Sequence, residues 1–183
     1  MIGSRNIELD CKVVQEQTGV AENDLREGEV AVAMPPPRDA GLVFIGRIRT
    51  PWRAREDAPR QGRHDGPVCR LEIFEPFVPA LQGVDFYSNL EVIYWLHRSR
   101  RDLVLQSPKK NGSTRGTFSL RSPVRPNPIG TSIVKLVGIE GATVLVRGLD
   151  CLDETPLLDL KPDRCEFSPL AAQKRRDADI EGE

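Results

Sequence analysis

The chain has 183 residues, 39% of them hydrophobic and 29% charged, with 15 glycines, 15 prolines and a formal net charge of -1. That length suits one ordinary domain with a tail or two and excludes two large ones, and the composition is that of a soluble, turn-rich globular chain rather than a long helical bundle. No apolar run reaches the roughly 18 residues that cross a bilayer, and no basic segment leads into an apolar one at the N-terminus, so neither membrane insertion nor secretion is expected and a cytoplasmic location is.

Residues 1 to 40 read as an appendage, with Asn6 to Gln15 and Gly28 to Ala33 the only β-prone stretches before the Pro35-Pro36-Pro37 run, a linker or extended arm. Leu42 to Ile48 is predicted to be the first strand, ended at Thr50-Pro51 where proline removes a ladder donor. Residues 52 to 66 are charged, rich in turn formers and without periodicity, which marks a site-forming loop. Val68 to Phe74 alternates about Cys69, Leu71 and Ile73 as a strand does, and Pro79 to Gly83 reads as one helical turn closed by glycine. Phe86 to Leu96 is the most apolar segment and is expected to be central core. Further short strands are expected at Leu103 to Leu105, Gly116 to Leu120, Thr131 to Ile139, Thr143 to Leu149 and Leu157 to Leu160, with a hairpin turn at Glu140-Gly141. Such a run of short strands with one or two helical turns predicts a mainly β fold, a closed or nearly closed barrel. Residues 169 to 183 form a charged tail.

The four cysteines are scattered without a C-x-x-C pair and away from His64 and His97, so neither a zinc site, any other metal nor a disulfide is expected. The near-neutral total hides an asymmetry. From His97 to Lys135 nine basic residues face Asp102 alone, whereas Glu8 to Asp39 carries eight acids against Lys12, Arg26 and Arg38. The basic stretch reads either as a phosphate-attracting patch or as a solvated loop face.

The common signatures of dinucleotide, P-loop, zinc-protease and serine-hydrolase chemistry are missing. What stands out is Arg121-Ser122-Pro123-Val124-Arg125-Pro126-Asn127-Pro128-Ile129-Gly130, where three prolines fix φ and rule out a helix or a central strand. A stiff loop holds the Arg121 and Arg125 guanidinium forks ready for an anionic ligand, with Asn127 adding amide donors and an acceptor; a proline-braced turn whose arginines pair with nearby carboxylates is the plainer alternative.

This segment, followed by Thr131-Ser132 and later by Gly148 to Pro162, closely resembles the TsaA-like (YaeB-like, TrmO-type) family. Ile45 to Ile48, Thr50-Pro51, Pro59-Arg60-Gln61 and the Asn89 to His97 stretch also fall in the family's order. The similarity covers residues 42 to 168, and the barrel domain is set at 41 to 168. The resemblance implies a single-sheet, mostly antiparallel β-barrel methyltransferase that uses S-adenosyl-L-methionine, forms a homodimer and methylates threonylcarbamoyl-adenosine beside a tRNA anticodon. It places the cofactor among Pro59, Arg60, Gln61, His97, Arg98, Arg121, Thr131, Leu149, Asp150, Cys151, Leu152 and Asp153, and assigns Arg125, Asn127 and Lys161 to the substrate. His97 or Asp150 would serve as base if the acceptor nitrogen must lose a proton; His97 reads equally as a structural residue closing the core strand.

The chain departs from the family pattern at two points. Asp153-Glu154-Thr155-Pro156 stands where members read D-G-T-P, and Lys161-Pro162-Asp163 where K-P-Y is usual. Glutamate for glycine loses easy access to positive φ and adds a charge. The chain also stops soon after the barrel, without the C-terminal domain and D-P-R-x-x-Y segment of the bacterial tRNA enzymes, which bears on the substrate more than on the cofactor. Two other functions are carried: methyl transfer to a small molecule or another nucleoside, and a non-enzymatic barrel binding single-stranded nucleic acid, which would need exposed stacking aromatics.

Overall fold

A computed structural model of the chain describes residues 25–33, 41–109 and 111–163. The expected Asn6 to Gln15 stretch, the Pro35 to Pro37 run and the C-terminal tail lie outside the described residues. The described residues fall into two compact units, 25–33 with 98–109 and 111–128 in one and 41–97 with 129–163 in the other.

The larger unit is a closed antiparallel barrel of six strands. In chain order these are β2 (Gly46–Arg49), β3 (Cys69–Ile73), β4 (Asn89–Trp95), β7 (Ile129–Glu140), β8 (Thr143–Arg147) and β9 (Thr155–Pro162). They close in the order β2-β3-β8-β7-β4-β9. The alternation in the sequence sets the inner face: Leu90, Val92 and Tyr94 of β4 and Cys69, Leu71 and Ile73 of β3 are buried, while the residues between them are more exposed. Ile48, Val134, Val144, Val146 and Leu157 complete a dry interior from the remaining strands, and side-chain burial of this kind is the main source of barrel stability. Gly141 takes φ 58° in the β7–β8 hairpin turn, as the Glu140-Gly141 pair requires.

The smaller unit holds a three-stranded sheet in the order β1-β5-β6, from β1 (Val30–Ala31), β5 (Leu103–Gln106) and β6 (Arg115–Gly116). Here the structure corrects one expectation. Gly116 to Leu120 is not a strand: only Arg115–Gly116 pairs, and Thr117–Ser119 turns into a 3-10 helix. Thr117 is the reason, because its hydroxyl is buried and donates to the Leu103 carbonyl at 2.7 Å, which folds the chain back over β5. The first barrel strand begins at Gly46 rather than Leu42, and Leu42 and Val43 are exposed. The helical turn expected at Pro79 is a pair of 3-10 helices, Val78–Leu81 and Val84–Phe86, with Gly83 at φ 82° between them. No described helix is long and apolar enough to cross a membrane.

Candidate functional site at one rim of the barrel

Antiparallel pairing fixes which chain segments share an end of the barrel. Trp95 pairs with Ile129, Arg147 with Lys135, Cys69 with Val146, Arg49 with Arg70, Ile48 with Thr155 and Tyr94 with Leu157. The end of β4, the start of β7, the end of β8, the loop between β2 and β3 and the start of β9 therefore open on the same rim. Topology alone carries His97, the Pro59-Arg60-Gln61 loop and the Leu149 to Asp153 turn, which are separated by up to 94 positions in the chain, to that rim, and Thr131 lies two residues inside it on β7.

Two glycines let the loop and the turn touch. A Cβ on Gly62 would lie 1.8 Å from the carbonyl oxygen of Gly148, and Gly148 itself takes φ 114°, with a Cβ there 2.9 Å from the His64 ring. No other residue type permits that approach. The loop is tied down further along. The carbonyl of Ile133 accepts a hydrogen bond from His64 Nε2 at 3.0 Å, Arg147 donates to the Gly66 carbonyl, and Arg63 grips Asp65 through two nitrogens at 2.9 and 2.7 Å. The Arg63 hydrogen bond holds the Asp65 carboxyl down at about 2.

The turn is fastened from the β2 side. Thr50 N–H donates to Asp153 Oδ1 at 3.1 Å, the Thr50 hydroxyl donates to the Cys151 carbonyl at 3.0 Å, and Asp153 N–H donates to the Trp52 carbonyl at 2.7 Å. Thr155 closes the turn by donating to the Leu152 carbonyl at 2.7 Å. Glu154 sits at φ 66°, the one non-glycine residue at positive φ among the described residues. This is the conformation that glutamate in place of glycine makes costly, and the side chain is drawn to two cations: it bridges Arg47 at 3.0 Å and Arg49, and Arg49 also holds Glu72 at 3.0 Å.

Asp150 is the carboxylate at the centre. The Tyr94 hydroxyl donates to Asp150 Oδ1 at 2.9 Å, and the Ser132 hydroxyl lies 2.9 Å from the Tyr94 oxygen and 3.3 Å from the same Oδ1. Burial pushes the Tyr94 phenol well above its usual range, with the negative charge of Asp150 adding to it, so the phenol stays protonated and acts as a donor. Burial likewise raises the Cys151 thiol, and Cys69 is pushed up to about 11. Gly130 is required by this arrangement, since a Cβ there would lie 2.3 Å from the Tyr94 ring.

Not every expected residue plays the same part in this cluster. Leu149 and Cys151 are buried, so their side chains belong to the core, whereas Asp150, Leu152 and Asp153 are partly exposed. The side chain of Thr131 is exposed, in step with Ile129 and Ile133 on the outer face of β7. His97 is half-buried two positions beyond β4, its N–H bonded to the Trp95 carbonyl at 2.8 Å. Arg60 and Gln61 are exposed and Pro59 half-buried. Arg98, Arg121, Arg125 and Asn127 are carried by the smaller unit. Lys161 stands apart: it pairs in register with Glu91 near the start of β4, at the opposite rim, and its ammonium binds Asp159.

Tyr94, Ser132, Gly62 and His64 are the residues that sequence reasoning passed over. Only Tyr94 carried a signal, as the one phenol on the inward face of an apolar strand, which needs a hydrogen-bond partner.

Comparison with known proteins agrees with this architecture. Residues 47–167 match the family model described as the tRNA-methyltransferase O N-terminal domain. A probable S-adenosyl-L-methionine-binding protein, VirR, of Rhizobium radiobacter is 60% identical over 82% of this chain and 86% of its own length. A tRNA (adenine(37)-N6)-methyltransferase of Mus musculus is 33% identical over 75% of this chain, which spans only 36% of the mouse protein. The crystal structure of TrmO from Pseudomonas aeruginosa superposes with a TM-score of 0.58 at 30% identity, covering 72% of this chain and 58% of that one.

Proposed function

The chain belongs to the tRNA-methyltransferase O N-terminal domain family, and from that premise we propose that it is an S-adenosyl-L-methionine-dependent methyltransferase whose acceptor is a modified adenosine of tRNA, threonylcarbamoyl-adenosine next to the anticodon. The observation that carries the reading is the close approach of Gly62 to Gly148, which sets the Pro59-Arg60-Gln61 loop against the Leu149 to Asp153 turn. The VirR relative, described as a probable S-adenosyl-L-methionine-binding protein, supports the cofactor, and the mouse relative, a tRNA (adenine(37)-N6)-methyltransferase, supports the RNA acceptor.

The donor set fits that cofactor. A ligand with a carboxylate, an ammonium, a sulfonium and ribose hydroxyls needs cations, carboxylates and amides within one site, and the rim offers the Arg60 guanidinium, the Gln61 amide and the Asp150 and Asp153 carboxylates. S-adenosyl-L-methionine, when bound, supplies an activated methyl group, so the difficult chemistry belongs to the cofactor. The chain's share is positioning. Tyr94 and Ser132 orient Asp150 through its Oδ1, Thr50 and Trp52 hold the turn, and the Gly62 contact keeps the loop in place; such preorganisation is worth several kcal/mol, roughly 7–11 in well-oriented model reactions. The carboxylate of Asp150 and the imidazole of His97 are the candidates for accepting a proton from the acceptor nitrogen. Arg98, Arg121, Arg125 and Asn127 belong to the smaller unit and are its candidates for contact with cofactor or RNA; Lys161, at the opposite rim and bound to Asp159, is left out of the site. A homodimer in the cytoplasm is the form in which the enzyme works.

Calorimetry with S-adenosyl-L-methionine and its demethylated product tests the cofactor, with saturable binding expected for both and its loss expected in Gly62→Val; a chain that binds neither overturns the proposal. Methyl transfer to unmodified and threonylcarbamoylated tRNA tests the acceptor. Transfer to neither tRNA, in a protein that binds cofactor, would turn the assignment to a small-molecule or other nucleoside acceptor. Full activity in both His97→Ala and Asp150→Ala removes the base from the scheme.

A further inference from the structure

Phe118 is 83% exposed, the most exposed large hydrophobic side chain among the described residues. A single apolar side chain in water is ordinary; its support and its neighbours are not. The 3-10 turn that carries it, Thr117–Ser119, is pinned by a buried polar network. Thr117 donates to the Leu103 carbonyl at 2.7 Å and accepts from the Gln106 amide at 2.9 Å, and the same amide donates to the Val124 carbonyl at 2.7 Å. Ser119 donates to the Gly116 carbonyl at 2.8 Å. A phenyl ring is thus presented to solvent on a fixed backbone, with little left to order when something lies against it.

The chain on either side of the ring is basic in sequence, while the Glu27 and Glu29 carboxylates of the same unit lie against Gly112 and Ser107. Arg115 precedes Phe118 by three positions and is exposed, and residues 98–128 carry eight basic side chains against Asp102 alone. Asp102 is already taken by Arg100, through two nitrogens at 2.8 and 2.9 Å. Of the residues flanking the ring, Ser119 is polar and exposed and Thr117 is buried, while Val104 and Leu105 of β5 are each only 37% exposed, so the ring is the part of this sheet that stands out into solvent. A rigid aromatic face with an exposed guanidinium three positions away is a combination that takes an unpaired nucleobase and a neighbouring phosphate.

We propose that Phe118 is a base-stacking platform on which an unpaired nucleobase of the RNA acceptor lies, with Arg115 contacting a neighbouring phosphate. The proposal rests on the reading of the acceptor as tRNA and adds to it the residue that holds an extruded or looped base.

The test uses the full chain saturated with the demethylated cofactor and two RNA hairpins, one with 2-aminopurine at an unpaired loop position and one with the same base in the paired stem. Binding is expected to quench the loop probe and leave the stem probe unchanged. Phe118→Ala is expected to weaken hairpin binding about tenfold, as loss of one stacked base does, to abolish the quench, and to leave cofactor affinity and the salt slope as they are. Phe118→Trp restores both affinity and quench. Arg115→Ala is expected to lower the salt slope by about 1. Wild-type affinity and quench in Phe118→Ala overturn the inference and leave the tRNA reading standing. A change from dimer to monomer on sedimentation of Phe118→Ala, with RNA binding intact, gives the ring to a second copy and also overturns it. A wild-type protein that binds cofactor but no RNA at low salt fails the tRNA reading itself, and the stacking role falls with it.

Discussion

The barrel and the smaller unit are held together by different kinds of burial. Inside the barrel, Ile48, Leu71, Val92, Val134, Val144 and Leu157 are fully buried and apolar; in the smaller unit Leu103 is joined by Gln106, Ser107 and Thr117, all buried and polar. Apolar burial is non-directional and grows with area, so the barrel can absorb small shifts in register or side-chain shape. A buried polar network holds only in one geometry and fails as a unit when a member is lost. The unit that carries the arginine-proline loop and Phe118 is therefore exact in shape and low in reserve, while the barrel that carries Asp150 is the stable platform.

The contrast can be broken from either side. The largest effect is expected from Leu71→Ala, which opens a cavity in the barrel and should lower unfolding free energy by about 2–5 kcal/mol in urea or guanidinium titration. Gln106→Ala removes the amide that serves both Thr117 and Val124 and should cost about 1–3 kcal/mol. If the comparison is right, hydrogen exchange will show that loss confined to amides of residues 98–128, with barrel amides unchanged; a uniform rise in exchange would show that the two units unfold together.

Smaller effects sharpen the account of the turn. Glu154→Gly relieves a positive φ worth roughly 1–2 kcal/mol and gives up exposed ion pairs worth about 0.2–1 kcal/mol each, so stability should change little. Glu154→Ala keeps the strain and loses the ion pairs, so it must be the less stable of the two variants in thermal unfolding; the reverse order would mean that the backbone there is not strained. The pH profile gives the last check. Folding raises the Cys69 thiol from about 9 to about 11 through burial, so its contribution is complete below pH 9 and is lost as pH rises through about 11. Cys69→Ala should make that alkaline limb shallower, with the buried Cys151 thiol and Tyr94 phenol still contributing to it.

Much of the barrel was legible in the sequence, because period-two alternation in Cys69-Leu71-Ile73 and Leu90-Val92-Tyr94 follows from which face is dry. The Gly141 turn was legible for the same kind of local reason. The 3-10 turn at Thr117 was not, since the residues around Gly116 have strand-like composition and the deciding hydrogen bond comes from Leu103, fourteen positions away. The rim was legible as motifs and illegible as geometry. Gly62 looks like any loop glycine until β8 brings Gly148 within contact, and Lys161 looks like part of the Leu149 to Asp153 neighbourhood until β9 carries it along the length of the barrel to the other end. Glu154 was readable as a departure from the family's glycine, but the two arginines that hold it lie on β2, more than a hundred positions earlier.

Closure of the six-stranded sheet has one more consequence. A closed barrel has no terminal strand, so the only sheet borders among the described residues belong to β1 and β6, and each is two residues long. Borders that short offer too few unpaired backbone groups to template the addition of another chain. Among the described residues, then, no sheet presents an edge long enough for fibrils or strand-swapped aggregates to grow on.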